Sequence, residues 1–284
     1  MIRLDAATVL LQWAVGGLFF CWVTTRRREV SLGYGWLLRG TYGLIAFGAL
    51  VTGLRYGEAV PVRDAASAGV VLGASVALVV SVVRRRAGVS GEREREEARS
   101  ARVTAMTGID RRRDERDTEA PEFPPSLDLI APAVGLVGLV AAGIAAGEPA
   151  ALSVARVVVG AAFLGAVTDA MLLGHWYLVQ PGMPRGPLLE LIRWLARIWP
   201  FEVIALLWPV GMASVITGTI DDGYNGILGW MWVLCALFTI GLVWVTRAAL
   251  RERQYSAVMA ATGLLYLAIL TAFGTDLVAR AVLA

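Results

Sequence analysis

What most constrains this chain is the recurrence of apolar windows too long for a soluble core. Counting between charged or Pro/Gly breaks gives eight of them, at residues 5–24, 36–54, 64–83, 127–146, 151–179, 201–219, 225–246 and 256–277. A helix needs roughly 20 apolar residues to cross about 30 Å of hydrocarbon. Lipid offers no water to unpaired N–H and C=O groups, so a crossing segment must satisfy them within itself, as a helix does. Composition agrees: 17% of the 284 residues are charged and 57% hydrophobic, where an ordinary soluble domain is about 25% charged. The expected fold class is therefore all-α, a polytopic membrane protein of eight transmembrane helices. The lipid bilayer is its first partner, and no nucleic-acid surface is expected.

Arginine decides the orientation. It accumulates at Arg26 to Arg28 after the first window, at Arg84 to Arg86 after the third, at Arg185, Arg193 and Arg197 after the fifth, and at Arg247, Arg251 and Arg253 after the seventh. Every second loop is thus basic, while the opposite loop TGTIDDGYNG carries Asp221 and Asp222. The positive-inside bias puts the basic loops in the cytoplasm and both termini outside, as in a multi-pass protein of a bacterial inner membrane. The first window has no small-residue cleavage site after it and reads as a retained span. Residues 84–126 form one charged cytoplasmic loop, dividing the chain into 1–83 with three spans and 127–284 with five. Its alternating charges fit a solvated helix, ended by APEFPP. Asp110, Asp114 and Asp117 have the spacing of a metal-binding DxxxD pattern, but the arginines among them favour a solvated charge run.

Several chemistries are excluded by residue inventory. All 26 basic residues are arginine, so a retinal or pyridoxal Schiff base and a Walker-type phosphate loop have no lysine to build on. Cys21 and Cys235 form no CxxC or CxxCH, and one histidine cannot ligate a b haem from both sides. No haem, iron–sulfur cluster or metal is expected, and no nucleophile elbow or zinc motif is present.

The polar residues inside the windows carry the functional expectation, because ionisable groups at that depth are expensive and normally face the bundle interior with a partner. Asp169 lies about 12 Å from the cytoplasmic end of the fifth window at 1.5 Å per residue. Asp169 and Trp176 share one helix face, and Thr168 and the lone His175 share the next. Prolines then end the helix in VQPGMPRGP, and PLLELIRWLARIWP places Glu190, Arg193 and Arg197 on one stripe, as in a helix lying in the inner interface. Arg39 and Glu202 fall at the same expected depth as Asp169 and His175, so Arg39 with Asp169, or Arg39 with Glu202, is a candidate ion pair. Functionally, Asp169, His175 and Glu202 are the candidate proton-handling residues. Trp176 and Tyr177 would wall a quinone head group, and Arg39, Arg193 and Arg197 are further candidate ligands for its polar edge or for a phosphate or carboxylate.

The run GALVTGLRYGEAVPVRDA after the second window and the ending FGTDLVARAVLA, with Asp276 four residues before Arg280, resemble the eight-span membrane anchors of dimethyl-sulfoxide reductase type molybdenum oxidoreductases, within the polysulfide/nitrite reductase anchor group. Those anchors hold a histidine in the loop following the second helix, where this sequence has Arg55. The resemblance implies a subunit of a respiratory or redox complex that binds quinone, carries protons and passes electrons to an iron–sulfur partner subunit. Two other classes fit the same residues: a small proton-coupled transporter, for which intramembrane acids and broken helices are equally suitable, and a scaffold in which Asp169 is interhelical glue.

Overall fold

The computed structural model describes residues 2, 4–107, 121–180, 182–209 and 211–284. Asp110, Asp114 and Asp117 lie outside the described residues. Within them the regular elements are all helical: α1 (Ala6–Thr25), α2 (Leu32–Arg55), α3 (Pro61–Val83), α4 (Ser90–Thr107), α5 (Ile130–Ala145), α6 (Ala150–Val179), α7 (Gly186–Leu207), α8 (Met212–Ile216), α9 (Ile227–Ala249) and α10 (Tyr255–Val282). Short 3-10 turns at Arg84–Ala87 and Pro125–Leu129 follow α3 and precede α5.

Local chemistry sets several ends. The Asp5 carboxylate accepts from the Ala7 and Thr8 amides at 3.3 and 3.1 Å and closes the first turn of α1. Pro61 opens α3, where a missing N–H costs nothing. Asp222 reaches into the first turn of α9, accepting from Leu228 N at 2.9 Å and Gly229 N at 3.4 Å.

Among the described residues seven helices, α1, α2, α3, α5, α6, α9 and α10, are long and apolar enough to cross a membrane, which makes this a multi-pass membrane protein. The sixth expected span is placed differently. Residues 201–219 are not one helix: α7 runs unbroken from Gly186 through Pro200 to Leu207, and the chain then leaves helical geometry before the short α8. Pro200 removes one N–H from the ladder of α7 without ending the helix. The segment around PLLELIRWLARIWP is therefore the first half of α7, packed among the other helices. Trp194 stands 6.1 Å from Phe20 of α1, and Glu190 meets Arg26 at 2.6 Å.

α1 is the central strut, with 72% of its apolar window buried against 28% for α9. It touches α2, α5 and α6, and meets α6 at backbone contact. A Cβ on Gly16 would sit 1.7 Å from the Ala161 carbonyl oxygen, and one on Gly165 would sit 2.2 Å from the Gly16 carbonyl carbon. Small residues at a crossing let two membrane helices approach this closely.

The bundle has two distinct ends. Ile2, Val278 and Leu283 pack into one cluster with Leu206 and Trp232, so the two chain termini lie together. The basic loops meet at the other end. There Arg185 donates to the Leu250 and Gln254 carbonyls at 3.0 and 2.9 Å, and Arg95 of α4 donates to the Glu29 carbonyl at 2.6 Å.

Candidate functional site

At the basic end one buried ion pair stands out. Arg39 of α2 donates through Nε and Nη2 to both oxygens of Asp128, each at 2.7 Å, and both side chains are 2% exposed. Ser81 adds a contact at 3.3 Å to Arg39, Thr25 donates to Asp128 at 3.2 Å, and the guanidinium lies 4.2 Å from the centroid of Phe123. The partner of Arg39 is therefore neither Asp169 nor Glu202. Asp128 sits at the edge of an apolar window, where a count of apolar residues passes over it.

The other residues expected near Asp169 face different neighbours. Asp169 is wholly buried, and its Oδ1 accepts from the Tyr42 hydroxyl while Oδ2 has no hydrogen-bond partner. Tyr34 donates to the Asp169 carbonyl at 3.2 Å. His175 lies on the exposed side of α6, with Nδ1 3.1 Å from the Tyr266 hydroxyl of α10. Trp176 donates to Ser31 at 2.9 Å, and Tyr177 donates to the Pro184 carbonyl, closing the turn into α7. The structure does not bring Asp169 and His175 into one wall, and Arg193 and Arg197 lie on the exposed face of α7, away from both.

Glu202 belongs to the opposite end of the bundle, which corrects the expected convergence in depth. The reason is the unbroken α7: starting at the basic end, it carries Glu202 most of the way to the termini. Around it stand groups from three other helices. Arg280 of α10 donates through Nε to Asp276 Oδ2 at 2.7 Å and through Nη2 to Gln12 Oε1. Gln12 of α1 donates back to Asp276 Oδ1 at 3.4 Å, closing a ring of three wholly buried side chains. Gly160 of α6 makes room for it, since a Cβ there would stand 2.2 Å from Gln12 Nε2. Arg156, 1% exposed, donates to the Ala205 carbonyl at 2.8 Å. Glu202 itself is 0% exposed, neither carboxyl oxygen has a hydrogen-bond partner among the described residues, and Asp276, Arg280 and Arg156 lie within electrostatic reach.

This cluster adjoins a cavity of about 590 Å³ at the end where the termini lie, lined among others by Asp5, Tyr56, Glu58, Arg63 and Arg280. Arg63 is held by Asp5 at 2.5 Å and Asp64 at 2.8 Å. Arg280 thus belongs to both the cavity wall and the buried ring, linking the vestibule to the groups around Glu202. A second, almost wholly apolar groove of about 420 Å³ lies between α1, α5 and α6, lined by Val15, Phe19, Leu136 and Ala162 among others. The sequence signal for the polar cluster was partial: Asp276 and Arg280 stand one helical turn apart, but Gln12 and Arg156 are single polar residues inside apolar windows and mean little until their helices are packed.

Chemically, the arrangement places an acid without donors behind a charged ring at the foot of an open vestibule. Intramembrane acids placed in this way commonly mark proton or ion pathways. Comparisons of this chain with protein-family models, with curated proteins and with solved structures find no match.

Proposed function

We propose that this is an eight-span bacterial inner-membrane protein that exchanges protons between an external vestibule and Glu202, as the proton-coupling element of a small transporter. The eighth crossing is α7, which falls outside the purely apolar helices because it carries Glu190, Arg193, Arg197 and Glu202. Its contacts with Arg26 at one end and Arg156 at the other support a full traverse. The positive-inside bias of the arginine loops then puts both termini and the vestibule outside.

The observation that carries the reading is Glu202: wholly buried, without a donor among the described residues, and one layer behind Arg280 of the vestibule wall. A permanently ionised carboxylate without donors is destabilising by several kcal/mol, so such a group is retained where it exchanges a proton with its neighbours. A broken helix adds support. α7 stops at Leu207, and Gly211 lies so near Arg156 that a Cβ would stand 3.0 Å from its Nη2. Interrupted helices recur at transporter sites, where the half-helix ends face the bound substrate or ion.

The test is proton entry into proteoliposomes carrying an internal pH dye, driven by a potassium diffusion potential. The wild type is expected to acidify the lumen, and Glu202→Gln to abolish this while leaving expression and elution volume unchanged. Wild-type flux equal to that of empty liposomes contradicts the reading.

The apolar groove between α1, α5 and α6 favours a second reading, the quinone-interacting subunit of a redox complex, since such a groove suits an isoprenoid tail. On that reading the same carboxylates relay the protons of the quinone. Quinone retained through purification at levels above those of empty-membrane controls supports it, and equal levels remove it.

A further inference from the structure

Arg197 stands on the exposed face of α7 with no side-chain partner among the described residues. It shares one stripe with Arg193, Phe201, Ile204 and Trp208, the last three each at least 60% exposed. Its depth follows from contacts already described, Glu190 with Arg26 at the basic end and Ala205 with Arg156 at the other. Between them, Arg197 is about 17 Å from Gly186 and about 15 Å from Leu207 along the axis at 1.5 Å per residue. With α7 as the eighth crossing proposed above, on which this inference rests, that is the middle of the bilayer. Side chains lean toward the helix N-terminus, so both arginines point to the basic end. Arg193, whose Nε donates to the Leu189 carbonyl at 3.1 Å, starts about 6 Å nearer that end and can snorkel. Arg197 starts too deep to do so, and an arginine facing lipid at that depth is strongly disfavoured.

We infer that this face of α7 is the binding surface for a membrane-spanning helix of another protein, one that carries an aspartate or glutamate opposite Arg197. Phe201 and Ile204 supply the apolar contact, and the arginine, desolvated by the partner, supplies the specificity, as charged anchors at buried interface centres do. A second copy of this chain does not meet the requirement. A two-fold contact through the stripe would set Arg193 and Arg197 against their own equivalents. Among the described residues the carboxylates Asp64, Asp128, Asp169, Glu202 and Asp276 are all buried, and Glu190 near the basic end of α7 is held by Arg26 and Arg27, so a second copy offers no free acid at the depth of Arg197 by any other packing. Lipid phosphates lie at the interface, out of reach of Arg197. The surface is independent of Glu202 and does not rest on proton exchange.

The test compares wild type, Arg197→Leu, Arg197→Glu and Arg197→Lys in native membranes by gentle detergent extraction and native electrophoresis, beside the same chains expressed alone in a foreign host. In native membranes the wild type and the Lys variant are expected in a species heavier than the lone chain, and the Leu and Glu variants as the lone chain. A photoreactive side chain in place of Phe201 should crosslink to a helix bearing an acid, and replacing that acid by arginine should restore the heavy species in Arg197→Glu. Expressed alone, Arg197→Leu should melt no lower than wild type, because the arginine has nothing to bond. Four results overturn the inference: a heavy species unaffected by Arg197→Glu, migration of the wild type as a lone chain, crosslinks confined to lipid or to a second copy, or a lower melting temperature for Arg197→Leu expressed alone.

Discussion

The pair formed by Arg39 and Asp128 allows a sharp prediction about what holds the basic end together. Two parallel bonds of 2.7 Å join side chains that are each 2% exposed, with Ser81, Thr25 and the Phe123 ring beside them. Replacing Asp128 by Ala leaves a buried guanidinium whose remaining bond is to Ser81. Breaking a buried pair in this way costs about 3–5 kcal/mol, or about two to four powers of ten in the folded-to-unfolded ratio. Replacing both partners by apolar side chains of similar volume, Arg39→Met with Asp128→Leu, removes the two desolvation penalties together and should return stability to within about 1 kcal/mol of wild type or above it. The assay is unfolding in mixed micelles of increasing dodecyl sulfate, followed by tryptophan fluorescence, for both single variants and the double. A loss below about 1 kcal/mol for Asp128→Ala, the size expected of a solvent-exposed pair, would refute the view that this pair is dry. A double variant weaker than either single would refute the argument that desolvation dominates.

The contact of α1 with α6 predicts that Gly16→Val, whose first added carbon already overlaps the Ala161 carbonyl oxygen at 1.7 Å, costs more than the roughly 1–3 kcal/mol of ordinary overpacking and yields aggregated protein on size exclusion. Gly241, with nothing within 4 Å of an added Cβ, is the control, and Gly241→Ala should be neutral or stabilising by up to about 1 kcal/mol. Asp222 predicts a pH effect. Partial desolvation pushes its carboxyl up, but the backbone N–H groups of Gly226, Tyr224, Gly229 and Leu228 outweigh this and hold it below the ordinary carboxylate range. Its support of α9 is therefore fully present above pH about 4, where the carboxylate is ionised folded or unfolded, and fades as pH falls through the lower folded value. Hydrogen exchange at Leu228 and Gly229 should speed up in Asp222→Ala at neutral pH and in wild type on acidification, and unchanged protection in the variant would remove the cap.

The membrane character and most helix positions were legible because the backbone of a span must pair within itself, which imposes one long apolar run per crossing. Where a long helix departs from that pattern, the reading failed. α7 carries Glu190, Arg193, Arg197 and Glu202 and contains Pro200, so residue counting split it into an interfacial helix and a displaced span, and the error moved Glu202 to the wrong end of the bundle. Asp169 was recognisable as buried, yet its partner Tyr42 was not, because a tyrosine in an apolar run gives no sign of its direction. The ring of Gln12, Asp276 and Arg280 joins the first helix to the last, and that proximity depends on helix order around the bundle, which one-dimensional periodicity does not carry. Asp276 and Arg280 alone could be paired by their spacing.

The most direct test of the central claim is infrared difference spectroscopy of the purified protein titrated in H2O and in D2O. A carboxylic C=O band that titrates with bulk pH, shifts in D2O and disappears in Glu202→Gln is the predicted result. An identical set of carboxylic bands in wild type and Glu202→Gln would show that Glu202 exchanges no proton with the vestibule and would contradict the account.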